Sequence, residues 1–393
     1  MSRFRTTKRI TPIPAKPMGL ALMVGLAISP NGSAQDAALP EFVPQGSNVK
    51  YITRTQLDSD VAIVKNVASR EIQLQPLEKQ ATIPVVTALA ATSTGAFLAA
   101  AGDDHAIRII DAINGQVIKT VGGHTDWIQS LVFSNTEEQG EVPHLYSAGD
   151  DGLVLRWDQG KAYPTTIARM DFAIRSLSLS SQRQLLAIGG FGNLIVVCDL
   201  EQQNYKHVLK CDCSDQRCVR FSPDGSKLLC GGRDGAIAVW DSSTGERIAH
   251  YLAHQQRVFT ASFSADGERI TSVGNDRRLV QYDLGTQTLL PYSLELPAKL
   301  RSMSLINDRA VAIAGADNSI QLYDFRTGDV IADLREHTGS VAVMCPCGPS
   351  LASGAYDTTV RIWDLESIAN MRANASRPVS FTPLDVDEEL RIR

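Results

Sequence analysis

The sequence predicts an all-β chain built from seven repeated units, each of four short antiparallel strands. The first observation is a ladder of dipeptides. Trp157-Asp158, Trp240-Asp241 and Trp363-Asp364 are matched by Ile110-Asp111, Cys198-Asp199, Tyr282-Asp283 and Tyr323-Asp324, and the seven Asp residues are separated by 47, 41, 42, 42, 41 and 40 positions. A constant period of this length marks a repeat architecture. The second is a repeated turn. Six positions before the aromatic place stand Asp104, Asp151, Asp234, Asp276, Asp317 and Asp357, preceded at two residues by Gly102, Gly149, Gly232, Gly274 and Gly315. The third is the texture between turns. Short apolar runs such as Leu228-Leu229-Cys230 and Ile237-Ala238-Val239-Trp240 are bounded by Ser222-Pro223-Asp224-Gly225 and Thr244-Gly245. Runs of that length between Gly, Asp and Asn read as strands joined by hairpins.

Composition agrees. The 393 residues are 44% hydrophobic and 21% charged, an ordinary globular balance. Lys plus Arg total 38 against 43 Asp plus Glu, a formal net charge of −5, which excludes a basic nucleic-acid-binding protein as the default reading. No nucleic-acid partner is expected.

Taken in order, residues 1–34 have the layout of a cleavable signal peptide. Arg3, Arg5, Lys8, Arg9 and Lys16 precede the apolar run Met18–Ile28, no acid appears before Asp36, and small residues lead to Ala34, after which cleavage is expected. The run is well short of the roughly 20 apolar residues that span a bilayer. No Cys follows it to take a lipid, and no Arg-Arg pair marks a twin-arginine route, so no stable membrane anchor is expected. A basic leader, an uncleaved anchor and an organellar transit peptide are the alternatives. Cleavage would remove five positive charges, and export implies a secreted or periplasmic location. Residues 35–69 form a lead-in segment, 70–366 carry the repeats, and 367–393 form a tail holding the acidic stretch Asp385–Glu389.

On the ladder, its flanking Asp and Gly residues and its turns, the chain resembles the WD40-repeat proteins over about residues 70–366. The resemblance implies a seven-bladed β-propeller, with four-stranded antiparallel blades (strands a to d running outward) around a central channel. A single blade cannot bury both faces, but a closed ring of blades can. After Asp364 the chain shows no strand-like alternation, whereas Ile72-Gln73-Leu74-Gln75-Pro76-Leu77 does. This N-terminal stretch is expected to supply strand d of the seventh blade. Pro76 is tolerable on such an edge.

The resemblance also implies hydrogen-bonded tetrads of a d–a loop His, a strand-b Ser, the turn Asp and the strand-c Trp. They are complete as His124, Ser147, Asp151, Trp157 and as His337, Ser353, Asp357, Trp363. A third set has His254, Ser272 and Asp276, with Tyr282 in the Trp place. The fourth unit keeps Asp234 and Trp240 but has Cys230 at the Ser place. The first, third and sixth carry Ala100, Ile188 and Ile313 there. A His–Ser–Asp set invites a nucleophilic triad. Recurrence at one spacing is a requirement of packing rather than of catalysis, so these residues are read as structural. No G-x-S-x-G, H-E-x-x-H or P-loop motif is present. His250 and His254 have helical metal spacing but fall in a strand-to-loop segment. No catalytic, cofactor or metal residue is therefore assigned.

Of seven Cys residues, Cys198 and Cys230 hold core strand places. Cys211, Cys213 and Cys218 cluster near the third d–a connection, where one pair could bridge in an oxidising compartment. Cys345-Pro346-Cys347 is placed in the a–b turn of the seventh blade. Thiols and disulfides both remain open at these places, but an odd count leaves at least one thiol unpaired in a monomer.

Propellers of this kind act mostly as interaction platforms through top-face loops, so a non-catalytic protein-binding scaffold is expected. The start of each strand a and the residue before each turn Asp bring Arg175, Arg217, Arg233, Arg257, Lys299 and Arg301 toward one face, with Trp127, Phe191, Phe259 and Tyr356 interspersed. Arg and aromatics are the residues enriched at binding hot spots. Scattered solvated charge, some of it paired with Asp103, Asp150 and Asp215, is the plainer alternative. The second unit carries an acidic a–b insertion over 134–144, facing the other way. The alternative function is a propeller enzyme, lactonase-like or quinoprotein-like. Convergent carboxylates or His in the channel would favour it, and an apolar or Arg-rich channel would favour the platform.

Overall fold

A computed structural model describes residues 50–52, 63–65, 67–77, 83–135, 142–213, 215–296, 300–324 and 327–368. The expected signal peptide over 1–34 lies outside the described residues, as does the acidic stretch 385–389. Seven antiparallel sheets follow one another along the chain. Blade 1 comprises Val86–Ala91, Phe97–Gly102, Ala106–Asp111 and Gln116–Gly122. Blades 2, 3 and 4 begin at Ile128, Ile174 and Cys218, and blades 5, 6 and 7 at Val258, Leu300 and Val341. The fold is the all-β seven-bladed propeller that the repeat predicts.

Burial explains the sequence texture. Strand c of blade 4, Ala236–Asp241, is buried at all but its last residue, whereas the outer strand of blade 1, Gln116–Gly122, is exposed at nearly every position. The three inner strands are covered on both faces by neighbouring blades, so they read as continuous apolar runs instead of alternating ones. Each apolar cluster sits between two blades. Ala99 and Ile107 of blade 1 meet Phe133 and Trp157 of blade 2. Leu89 and Ile110 of blade 1 meet Ala352 and Val360 of blade 7, so the last blade packs on the first. Fully burying one Leu or Ile side chain contributes about 1.5–3 kcal/mol, and this is the main force between blades.

The repeated Gly has a steric cause. A Cβ at Gly149 would lie 2.3 Å from the Trp127 carbonyl oxygen, closer than any side chain tolerates.

Ser69–Gln73 pairs antiparallel with Thr359–Asp364, outermost in the sheet of blade 7. The paired stretch begins before the alternating run 72–77 and stops ahead of Pro76. Beyond it the Gln75 carbonyl accepts a hydrogen bond from Arg108 Nη2 at 2.7 Å, which turns the chain toward blade 1. The lead-in contributes more than the sequence indicates. Lys50–Ile52 adds a parallel strand beside Thr288–Glu295 of blade 5, and Val64 bridges to Ala332 of blade 6. The segment thus borders the outer edges of three successive blades, which would otherwise be open to strand pairing. At the other end, a helical turn over 365–368 buries Ile368 against the cluster holding Trp363 and Leu334. The first two residues of the expected tail therefore belong to the folded body. No helix among the described residues is long and apolar enough to cross a membrane.

Candidate partner-binding face

The recurring polar sets are bonded as units. His124 Nε2 and Ser147 Oγ are 2.7 Å apart, His124 Nδ1 and Asp151 Oδ2 are 2.9 Å apart, and Trp157 Nε1 donates to Ser147 Oγ at 2.8 Å. The set in blade 7 repeats this. His337 Nε2 lies 2.7 Å from Ser353 Oγ, His337 Nδ1 lies 2.8 Å from Asp357 Oδ2, and Trp363 Nε1 donates to Ser353 at 2.8 Å. In blade 5, His254 joins Ser272 and Asp276, each at 2.9 Å, while Tyr282 stacks on Tyr251 with ring centroids 3.6 Å apart. Each serine is buried. Blade 1 replaces the set with a buried ion pair, Arg108 Nη2 to Asp104 Oδ2 at 2.6 Å.

Electrostatics follow burial. Burial is the largest influence on His124 and lowers its pKa against the opposing pull of Asp151. For Asp357, burial pushes upward but the hydrogen bonds and charge of His337, with Thr359 and the Thr338 N–H, outweigh it and hold the carboxyl low. His254 Nδ1 is committed to Asp276, and His250 is exposed on the strand Arg247–Leu252, so the two do not form a metal pair.

At the mouth of the channel, the second residue of each innermost strand converges. Thr87, Gln129, Arg175, Phe259, Arg301 and Ala342 line a cavity of about 490 Å³ together with Arg217, which immediately precedes its strand. One residue comes from each blade, because equal register puts equivalent positions at equal height. Asp126, Trp127, Asp150 and Tyr356 complete the rim, and a further cavity of about 500 Å³ continues below it. Of the residues expected on this face, the cavity collects Trp127, Arg175, Arg217, Phe259, Arg301 and Tyr356, while Phe191 is outside its lining. Arg233 is exposed but outside it, Arg257 is also outside its lining, and Lys299 lies outside the described residues.

The arginines differ in how free they are. Arg175 Nη2 pairs with Asp150 Oδ1 at 3.2 Å, while Arg217 Nε and Arg257 Nη2 share Asp215 at 3.0 and 2.7 Å. Arg175 and Arg217 both cover Phe191, 4.6 and 5.3 Å from its centroid. These three arginines are half-buried rather than freely solvated, and the Asp215 side chain is only 6% exposed. Burial raises the Asp150 carboxyl pKa, with Arg175 opposing. Arg301 is exposed, rests 5.9 Å over Tyr356, and has no acidic partner among the described residues. Gln129 and Asp126 were not among the expected contact residues because neither is basic or aromatic. Their position in the repeat register was the available signal.

The cysteines are also rearranged. Cys211 and Cys213 form a disulfide. Cys218 is not beside it, since its sulfur bonds the Ala261 N–H and carbonyl of the next blade. Cys345 and Cys347 lie within the strand Val341–Cys347, not in a turn, because Cys347 pairs with Ser350 and leaves only Gly348 and Pro349 to turn the chain.

Comparison with known proteins accords with this architecture. The family described as "WD domain, G-beta repeat" matches residues 77–111, 115–158, 203–241, 245–283 and 328–364. The unmatched stretches hold the inner strands of blades 3 and 6, where Ile188 and Ile313 replace the bonded serine. An uncharacterized WD repeat-containing protein of Schizosaccharomyces pombe is 23% identical over 275 residues, 68% of this chain and 74% of its own. A serine-threonine kinase receptor-associated protein of Dictyostelium discoideum is 27% identical over 278 residues, 69% of this chain and 91% of its own. A U3 snoRNP-associated protein-like protein of Arabidopsis thaliana is 24% identical over 322 residues, 71% of this chain and 64% of its own. These relatives overturn the expected secreted or periplasmic location. Their names, given for kinase-receptor and snoRNP association, run against export. With its blades phased by one period and five stretches of repeat matched, the chain belongs to the WD40-repeat family.

Proposed function

We propose that this propeller is a non-catalytic scaffold whose channel-mouth face captures an acidic protein segment. The observation that carries the reading is the convergence of Arg175, Arg217 and Arg301 on one cavity rimmed by Trp127, Phe259 and Tyr356. Arg175 and Arg217 are already oriented by Asp150, Asp215 and Phe191, so little side-chain entropy is lost when a carboxylate arrives. Arg301 supplies the uncommitted guanidinium. The association names of the kinase receptor and snoRNP relatives support an interaction role in general. The lining speaks against the propeller-enzyme alternative: no His is among it, and of its two carboxylates Asp150 is paired with Arg175.

The test is capture of partners from a cell extract by immobilised wild-type protein and by Arg301→Glu, read by quantitative mass spectrometry. Proteins depleted in the variant should be enriched in acidic segments. Capture should weaken as salt rises from about 0.1 to 1 M, where the Debye length falls from about 10 to about 3 Å. Identical profiles for the two proteins would remove this face as the contact surface.

A further inference from the structure

In blade 4 the bonded His–Ser pair is absent, and sulfur stands in its place. Cys230 occupies the serine position, and the d–a loop that elsewhere carries His brings in Cys211 and Cys213. The three sulfurs lie within 4.8 Å of one another and are buried. Cys230 Sγ is 3.7 Å from Cys213 Sγ and 4.0 Å from Cys211 Sγ. It therefore sits beside the Cys211–Cys213 bond rather than on its axis, where a sulfur displacing its partner would have to stand. Thiol–disulfide exchange is poorly served by this placement. The two separations from Cys230 suit metal chelation, since thiolates held at about 2.3 Å from one metal stand roughly 3.8–4.0 Å apart, and the third pair can reach that spacing once the disulfide is opened.

We propose that Cys211, Cys213 and Cys230 form a buried three-sulfur site that binds one copper(I) ion when the protein is reduced. The ligand chemistry selects the ion. Closed zinc sites take four ligands, and among the described residues no fourth His, Cys, Asp or Glu joins these three. A sulfur-only set suits soft copper(I). Loading needs the disulfide opened first. A dithiol reductant gives two electrons and two protons, leaves as its own disulfide, and converts Cys211 and Cys213 to thiols. Each sulfur that then ligates as thiolate releases its proton to solvent. The way in is short, because Asp212, between the two loop cysteines, has a side chain 60% exposed.

The experiment uses the full chain, reduced and desalted without oxygen, and titrated with copper(I) against the chelator bicinchoninate. Wild type should hold one equivalent, with three sulfur neighbours by X-ray absorption, and the disulfide form should hold none. Cys230→Ser should lower the affinity at least about tenfold, since loss of even an outer-shell partner costs that much. This variant restores the side chain found at Ser147, Ser272 and Ser353, and an unchanged melting temperature shows that it folds. Cys345→Ser should match wild type. The site is overturned if reduced wild type retains no copper(I) against the chelator, if Cys230→Ser binds as tightly as wild type, if Cys345→Ser weakens binding equally, or if zinc(II) is held in preference.

Discussion

Ile72 stands directly opposite Val360 in the antiparallel pairing of Ser69–Gln73 with Thr359–Asp364. Both side chains are buried in the layer that joins blade 7 to blade 1. Residues from near the two ends of the fold thus share one sheet. Deleting residues 69–77 should lower the melting temperature far more than deleting residues 373–393. The first deletion removes Ile72 and Leu74, each worth about 1.5–3 kcal/mol of burial, and exposes an edge. Differential scanning calorimetry of both truncations decides it. Equal melting temperatures would show that the ring does not depend on this strand.

The blades were legible in the sequence because a fixed period repeats a fixed set of turn residues, each with one steric or hydrogen-bonding job. Asp357 and Gly149 are readable one at a time, since their roles are local. The pairing of Lys50–Ile52 was not legible. A three-residue strand carries no periodicity, and its partner Thr288–Glu295 is far along the chain. The cysteine cluster was half legible. The sequence groups Cys211, Cys213 and Cys218 without choosing a pair, and Cys230 joins the first two only because strand b faces the d–a loop. That Asp150 and Asp215 pair with some of the basic residues was legible, but which arginine each takes was not. Asp215 reaches two of them from a loop residue with φ of 55°, a backbone state that pattern reading does not supply.

The bonded sets should act as stability elements. Asp357→Ala leaves His337, the Thr338 N–H and Thr359 without their acceptor and should destabilise by about 1–3 kcal/mol. Gly274→Ala should damage the blade 5 set from the other side, because its Cβ would lie 2.6 Å from His254 Nδ1 and 2.8 Å from Asp276 Oδ1. Urea melts of both variants check this. Wild-type midpoints would show that the sets contribute nothing.

Acid should weaken the fold in two stages. His124 has a lowered pKa in the folded protein, so the unfolded chain binds its proton first. Its contribution is complete above about pH 6.5, the unfolded value, and is lost as pH falls through the lower folded value. Asp276 and Asp357 are also lowered, through their His and backbone donors against the opposing effect of burial. Their contribution is complete above about pH 3.9 and is lost only below it. Stability measured by urea unfolding should decline gently from pH 7 to 5 and steeply below 4. His124→Gln should flatten the first decline and leave the second. A stability that rises between pH 7 and 5 would contradict the lowered histidine.

Arg257 and Arg301 should answer charge reversal in opposite ways. Arg257 and Arg217 together balance Asp215, a carboxylate only 6% exposed. Placing Glu at 257 puts a second negative charge beside it. Removing a partner from a fully buried ion pair costs about 3–5 kcal/mol, and partial solvent access to these arginines reduces this to on the order of 1–3 kcal/mol. Arg257→Glu should therefore melt earlier and lose partner capture only in proportion to unfolding. Arg301→Glu removes no such balance, since Arg301 has no acidic partner among the described residues and lies 5.9 Å over the exposed Tyr356 ring. It should keep the wild-type melting temperature while partner capture falls. Asp150→Asn separates the two effects further. It removes the counter-charge at 3.2 Å from Arg175, makes the cavity more positive, and should strengthen capture of an acidic segment at low salt. Binding measured beside melting for the three variants resolves the face into a part that holds the fold and a part that meets the partner. Were Arg301→Glu to melt early and Arg257→Glu to bind poorly while fully folded, the division of labour drawn from the ion pairs would be reversed.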